Sequence, residues 1–144
     1  MVLMALTLSA CFEQSDCLIT NTNILKITPK GRTLGKDTTV TFLSVRLLNG
    51  ESDLYTDKAL SSLEIPVDIA DSTITVIFQY NRKSKLVSDT LRVGYRNELR
   101  VIAPDCGAYL YQHDVHVSKT NFEKTRVTTS VLLTTIKKNL EIFL

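Results

Sequence analysis

The chain has 144 residues, 44% of them hydrophobic, and a formal net charge of +2. The hydrophobic fraction is too high for an intrinsically disordered chain, and the length suits one domain with its own core. Positive and negative residues are interspersed and the net charge is small, which excludes the strongly basic surface of a typical nucleic-acid-binding protein. The sequence contains no internal repeat and no low-complexity run.

The N-terminus resembles a bacterial export signal. Residues 1–10 are uncharged and mostly apolar, and Leu8, Ser9 and Ala10 precede Cys11 in the pattern of a lipobox. In a lipobox the thiol of the cysteine receives a diacylglyceryl group. Cleavage before this cysteine then makes it the first residue of the mature protein. The apolar run has about the length of a signal-peptide core and is shorter than the roughly 20 residues that a membrane-spanning helix needs. We therefore predict that Cys11 is the lipid-attachment site.

The signal lacks one expected part, because no Lys or Arg precedes the apolar run, where a positive region is usual. A start site further upstream would supply it. The alternative interpretation is a buried N-terminal strand in a cytosolic protein. On the export interpretation, residues 1–10 are the signal peptide, residues 11–17 are a lipidated tether, and residues 18–144 are a single domain. The predicted location is the bacterial cell envelope, with the outer membrane preferred.

The three cysteines are Cys11, Cys17 and Cys106. Lipidation of Cys11 leaves an even pair, and an exported protein meets an oxidising compartment. We predict a disulfide between Cys17 and Cys106, which would stabilise the fold by about 4–5 kcal/mol in the chain-entropy model. Two separately buried thiols are the alternative. No CxxC spacing occurs, so the sequence does not support a cysteine metal site or thioredoxin-like chemistry.

Alternation of apolar and polar residues dominates the sequence, with many Thr, Val, Ile and Tyr, and this pattern predicts β-strands. Residues 72–80 and 86–95 alternate most clearly, and the polar stretch between them predicts a hairpin turn. The segment of residues 38–48 changes phase near Leu43 and Ser44, which predicts a β-bulge or a switch between sheets at that point. A fully buried strand end is the alternative.

Further turns and strands complete the pattern. Asn49-Gly50 predicts a hairpin turn, and residues 104–107 predict another turn. Residues 57–63 fit one short turn of helix. Residues 132–140 fit either a helix or a strand, and the many neighbouring Thr residues favour a strand. The other candidate strands are residues 18–27, 38–48, 62–67, 98–103, 109–117, 126–133 and 139–144. We predict an all-β fold, an immunoglobulin-like antiparallel β-sandwich of about 7–9 strands.

No motif for catalysis or nucleotide binding is found, whether GxSxG, HExxH, a Walker loop or GxGxxG. No catalytic residue, metal site or cofactor is therefore expected. His113 and His116 are the only histidines, and residues three apart in a strand point to opposite faces, so they are not expected to share a metal ion.

Tyr109 and Tyr111 share a strand face and are the candidate ligand-binding residues, because exposed tyrosines stack on sugars or contact a protein partner. Alternatively, they belong to the core or cover a sheet edge.

Several short motifs resemble a family of small, uncharacterised lipoproteins of the Bacteroidota whose domain has no assigned function. The motifs are the lipobox Cys11, Asp16-Cys17, Ile65-Pro66-Val67, Cys106-Gly107 and the C-terminal residues 139–144. The resemblance covers nearly all of the chain after the lipobox. It implies an envelope lipoprotein with a β-rich fold, and it implies no activity.

We therefore expect a non-catalytic cell-envelope lipoprotein that binds or scaffolds another envelope component. Its partners would be the membrane, through the lipid on Cys11, and an envelope protein or glycan, but no nucleic acid. The alternative is a glycan- or small-ligand-binding sandwich module that uses Tyr109 and Tyr111. A hydrolase is the less favoured third hypothesis.

Overall fold

The computed structural model describes residues 24–33, 35–104 and 107–144, and within these ranges the chain is all-β. Nine strands form two sheets, which confirms the prediction of a β-sandwich. The strands are β1 (Ile24–Lys30), β2 (Val40–Leu47), β3 (Asp53–Leu60), β4 (Leu63–Pro66), β5 (Thr73–Arg82), β6 (Lys85–Ala103), β7 (Gly107–Thr120), β8 (Lys124–Val127) and β9 (Leu140–Phe143).

Several predictions fall outside the described residues. These are the signal peptide of residues 1–10, the tether of residues 11–17, and all three cysteines. The first predicted strand, residues 18–27, is described only from Ile24 onward, where β1 begins. Among the described residues, no helix has the length and hydrophobicity that a membrane span requires.

The smaller sheet has the strand order β4-β1-β9-β8, and the larger sheet has the order β3-β2-β5-β6-β7. β1 and β9 pair in parallel, with Ile27 opposite Leu140. The other named strand pairs are antiparallel. The first and last strands of the described chain therefore lie side by side in the middle of the smaller sheet.

The core lies between the sheets and is built from alternating side chains of both, as in other sandwiches. The smaller sheet contributes the fully buried Leu25, Ile27, Leu63, Ile65, Leu140 and Ile142, and the larger sheet contributes Phe42, Val45, Val76, Phe78 and Leu91. The ring of Phe78 lies at the centre of an aromatic group, with ring centroids 5.8 Å from Phe42 and 5.3 Å from Phe122. Tilted and edge-on contacts of this kind add to the free energy gained by burial.

The predicted β5–β6 hairpin is present and turns in two residues, since Arg82 pairs directly with Lys85. The turn residues Lys83 and Ser84 have φ angles of 50° and 61°. Two successive positive φ angles are typical of a type I′ turn, whose twist matches that of the flanking strands. The predicted bulge in β2 is also present, because the register with β5 shifts between Phe42 and Ser44.

The expected helical turn at residues 57–63 is wrong. Residues up to Leu60 belong to β3, an edge strand that pairs with β2, and Leu63 begins β4. The local sequence of β3 is rich in charged and polar residues that face solvent, which suits an edge strand. Pairing with the edge of β2 therefore decides the structure of this segment over its local propensity.

The C-terminal prediction is corrected as well. Residues 126–133 were expected as a strand, but β8 ends at Val127. The following chain, up to β9, is neither helix nor strand. Buried Asn139 holds it in place, because its side-chain oxygen accepts from the Lys26 amide at 3.0 Å and its side-chain nitrogen donates to the Val131 carbonyl at 2.7 Å.

β6 is one uninterrupted strand, although the sequence predicts a break between residues 86–95 and 98–103. β5 begins opposite Gly94, so residues 96–103 of β6 pair only with β7 among the described strands. Together with residues 107–113 of β7 they form a two-stranded extension of the larger sheet, which we call the ribbon. Its inner face continues the core-facing side of β6, and its outer face continues the opposite side of the sheet.

Candidate functional site

The outer face of the ribbon carries the strongest grouping of charged and aromatic side chains near the predicted ligand-binding residues. Strand alternation places three β6 residues and three β7 residues on this face. The register pairs Arg96 with His113, Glu98 with Tyr111, and Arg100 with Tyr109. We call these six residues the outer ladder.

Tyr111 lies in the middle of the outer ladder. The guanidinium carbon of Arg100 is 3.6 Å from the centroid of the Tyr111 ring, a close cation–π contact. The imidazole of His113 stacks on the same residue, with ring centroids 5.3 Å apart and an interplanar angle of 23°. A sugar that stacks on the face of Tyr111 would therefore compete with contacts that the protein already makes.

Glu98 connects the charges of the ladder. Its two carboxylate oxygens accept from Arg100 Nε at 3.3 Å and from Arg100 Nη2 at 3.4 Å, and His113 Nε2 lies 3.2 Å from Glu98 Oε2. Hydrogen bonding to Arg100 lowers the pKa of Glu98, and hydrogen bonding to Glu98 raises the pKa of Arg100. The ladder therefore presents a paired carboxylate and guanidinium beside an aromatic stack.

The expectation that His113 and His116 point to opposite faces is wrong. Between them β7 contains a bulge, because the register shifts from Gly94–His116 to Arg96–His113, and Asp114 has a φ of 55°. A bulge adds one residue to its strand and reverses the alternation beyond it. Both imidazoles consequently lie on the outer side of the sheet.

The structure gathers no metal site around these histidines. In the part of the chain that it describes, no group of three or more His, Cys, Asp or Glu side chains is arranged to hold a metal ion. His116 instead packs over Gly94 and contacts the Asp114 carbonyl through Nδ1 at 2.7 Å.

The predicted ligand-binding residues Tyr109 and Tyr111 both lie on the outer ladder and are half-buried. Sequence reasoning missed their companions Glu98, Arg100 and His113. The alternation of residues 96–100 was a sequence signal for part of this group. Arg96, Glu98 and Arg100 would share a face in one continuous strand. The expected break in β6 concealed it.

A second feature is a cleft of about 430 Å³ at the end of the sandwich from which the ribbon projects. The β2–β3 turn and the β4–β5 loop line it, together with Ile74, Arg92 and Tyr95. Burial, and the nearby carboxylates of Asp71 and Asp68, raise the pKa of Tyr95 to about 12. Tyr95 is therefore neutral, and its hydroxyl donates to the Asp68 carbonyl at 2.9 Å.

A buried ion cluster on the other sheet is structural in character. Glu141 is fully buried. Its carboxylate accepts hydrogen bonds from Arg126 Nε at 2.7 Å and from Lys138 Nζ at 2.8 Å. The Nζ atom of Lys30 lies 3.4 Å from Glu141 Oε1. Burial alone would raise the pKa of Glu141, but the hydrogen bonds from Lys138 and Arg126 outweigh it and lower the pKa to about 2. All the donors and acceptors named here belong to the chain itself.

Residues 37–144 match the model of a family of unknown function, DUF6452. The chain belongs to this family. The match contains the ribbon, the outer ladder, the cleft and every strand except β1. No curated protein and no solved structure shows significant similarity to the chain. The DUF6452 match confirms the expected membership of a domain family of unknown function.

Proposed function

We propose that this protein is a non-catalytic lipoprotein of the bacterial cell envelope, of the kind found in the Bacteroidota, with the outer membrane as its preferred location. A lipid on Cys11 holds it to the membrane, and the outer ladder binds another envelope component. The outer ladder carries the binding part of this proposal, and the lipobox pattern at Leu8 to Cys11 carries the anchoring part.

The position of the outer ladder supports a binding role. The ribbon extends past the end of β5, so its outer face projects from the sandwich. Tyr and Arg are the residue types enriched where protein surfaces bind tightly. Arg100 and Tyr111 are already held by Glu98 and His113, so little conformational entropy is lost when a partner binds them.

Anchoring is tested by replacing Cys11 with Ala in cells that receive labelled palmitate. The expected result is loss of the label and loss of the protein from the membrane fraction, because the thiol is the attachment point. Cys17→Ala is the matched control and should keep the label. A Cys11→Ala protein that is still processed and membrane-bound would contradict the proposal.

Partner binding is tested by photo-crosslinking in intact cells, with a photoreactive phenylalanine derivative at position 109. Position 55 is the control, because Tyr55 is also a half-buried strand tyrosine but lies on the opposite edge strand, β3. We expect one discrete adduct from position 109 and none from position 55. Arg100→Ala should reduce the yield of the adduct, whereas Arg82→Ala at the far hairpin should not. Identical adducts from both positions, or no adduct from position 109, would contradict the proposal that the outer ladder binds a partner.

Binding of a glycan or another small ligand is the second candidate function, and the cleft is the observation that favours it. Its volume of about 430 Å³ lies within the usual range for ligand sites. Glycan arrays and ligand-observed NMR on the wild-type protein test this function. Arg92→Ala should weaken binding in the cleft, whereas Tyr109→Ala and Tyr111→Ala should weaken stacking on the ladder. Binding that none of the three changes would exclude both sites.

A further inference from the structure

The cleft at the end of the sandwich is bounded by two segments that strands hold in place. On one side, the β2–β3 turn is attached to β5, since the Leu48 amide donates to the Thr75 carbonyl at 2.9 Å. On the other side, the β4–β5 loop is attached to β6, because Asn97 Nδ2 donates to the carbonyls of Ile69 at 3.1 Å and Asp71 at 2.7 Å. A ligand therefore meets a cleft that is already formed, which lowers the entropic cost of binding.

Arg92 supplies a positive charge to this cleft. It is exposed on the outer face of β6, and its guanidinium has no ion-pair or hydrogen-bond partner among the described residues. Lys119 lies directly opposite on β7, and like charges that face each other across a sheet repel. Thr75, which carries a hydroxyl, lies opposite on β5 and also lines the cleft. Since a guanidinium holds a carboxylate through two parallel hydrogen bonds, a carboxylate is the ligand group that suits this position.

The loop side of the cleft carries negative charge instead, because Asp68 and Asp71 line it. Burial raises the pKa of Tyr95 most, and the carboxylates of Asp71 and Asp68 add to the effect, so both lie near the Tyr95 hydroxyl. Neither carboxylate has an ion-pair partner in the part of the chain that the structure describes. Asn97, which binds the Asp71 carbonyl, follows Arg92 by five residues, or about 16 Å of strand. The positive and negative groups therefore lie on separate sides of one cleft.

The rest of the lining is partly apolar, with contributions from Leu47, Leu48, Pro66 and Ile74. Tyr95, the aromatic residue of the lining, is 3% exposed and offers no ring face on which a sugar could stack. A ligand without charges would remove water from Arg92 and the two aspartates without replacing it, which costs free energy. The lining therefore suits a ligand that has opposite charges and an apolar part better than a neutral glycan.

We propose that the cleft binds a short peptide through its free termini, with the C-terminal carboxylate at Arg92 and the N-terminal ammonium at Asp71 and Asp68. A peptide suits the separation of the two charged sides better than a free amino acid, whose charged groups share one carbon atom. Its apolar side chains contact the apolar part of the lining. Peptide binding of this kind rests on the second candidate function, a small-ligand site in the cleft, and not on the outer ladder.

NMR titration of the full chain tests the proposal, with the peptides Ala-Leu and Ala-Leu-Ala as probes. We expect saturable shifts of the amide signals of Asp71, Thr73 and Thr75, which line the cleft. N-acetylation or C-amidation of the peptide removes one of its charges and should weaken binding at least about tenfold. This comparison of peptide derivatives uses the wild-type protein alone.

Variants of the cleft provide the second part of the test. Arg92→Gln should weaken binding of the free peptide about tenfold and leave binding of the amidated peptide unchanged. Asp71→Asn should likewise weaken binding of the free peptide and leave binding of the acetylated peptide unchanged. Arg82→Gln is the matched control and should change neither, because Arg82 also faces a cation, Lys85, but at the far hairpin.

Absence of shifts in the cleft with both peptides would overturn the proposal, as would equal affinity for the free, acetylated and amidated forms. Acetate that binds as tightly as the peptides would show a simple anion site instead. Glycans that shift the same signals when the peptides do not would keep the cleft as a ligand site and reject the peptide. If neither peptides nor glycans shift these signals, the second candidate function fails as well.

Discussion

The imidazole of His116 occupies the space into which a side chain at Gly94 would have to project. An ideal Cβ atom on Gly94 would lie 2.5 Å from His116 Nε2 and 2.6 Å from Cε1. The two residues face each other across β6 and β7, and the contact of Nδ1 with the Asp114 carbonyl holds the ring in place. Gly94 is therefore required by its cross-strand neighbour, and the bulge at Asp114 determines where that neighbour lies.

Replacement of Gly94 by Ala is expected to destabilise the fold by about 1–3 kcal/mol, the usual effect of overpacking a filled site. The ring of His116 would have to move and give up its contact with Asp114. His116→Ala should remove most of this penalty, so the double variant should be more stable than the sum of the single effects predicts. Urea unfolding of the four proteins measures the coupling, and additive effects would contradict the steric explanation.

The buried carboxylate of Glu141 is expected to be the most important single charge for stability. Glu141→Gln leaves Arg126, Lys138 and Lys30 without their shared anion. Loss of one partner of a buried pair costs about 3–5 kcal/mol, and we expect about 2–3 kcal/mol here because Arg126 and Lys138 remain partly exposed. The control is Glu64→Gln, since Glu64 pairs with Lys26 at the surface and should change stability by less than about 1 kcal/mol.

The same carboxylate predicts how the protein responds to acid. The pKa of Glu141 is about 2 in the folded protein, against an ordinary value of 4.5. A lowered pKa in the folded state contributes stability above the unfolded value, and this contribution is lost as the pH falls through the folded one. The free energy of unfolding should therefore fall between about pH 5 and pH 2, and it should fall less steeply in Glu141→Gln. If the free energy of unfolding fell equally steeply with pH in the wild-type protein and in Glu141→Gln, Glu141 would not be the source of this acid sensitivity.

The Cys17–Cys106 disulfide remains a prediction, because both cysteines lie outside the described residues. Mass spectrometry without reduction should show the linked peptides, whereas two thiols that alkylate in the native protein would favour the alternative of separate cysteines.

Local patterns in the sequence were sufficient wherever a short stretch determines its own geometry. The β5–β6 hairpin follows from two clear alternations and a polar turn. The bulge near Leu43 follows from the change of phase, because both Phe42 and Val45 must face the core. In both cases the burial of alternate side chains leaves one register that hides the apolar residues.

The sequence was insufficient where distant strands decide the outcome. The segment Asp53–Leu60 has no strong alternation, and it forms β3 because its backbone pairs with the edge of β2. The bulge at Asp114 carries no glycine, and it reverses the alternation between His113 and His116. The outer ladder depends on the continuity of β6. Because a break is expected there, the shared face of Arg96, Glu98 and Arg100 is hidden, and only the separation of two residues between Tyr109 and Tyr111 points to the ladder.

The parallel pairing of β1 with β9 has a consequence for how the chain reaches its fold. The two strands come from opposite ends of the described chain, and the smaller sheet has no continuous centre until both are present. Contacts between such distant segments close large loops and slow folding. During synthesis β1 therefore remains unpaired on its β9 side until β9 has left the ribosome. Pairing of β9 completes the centre of the smaller sheet, and a chain that stops short of β9 leaves β1 with a free edge.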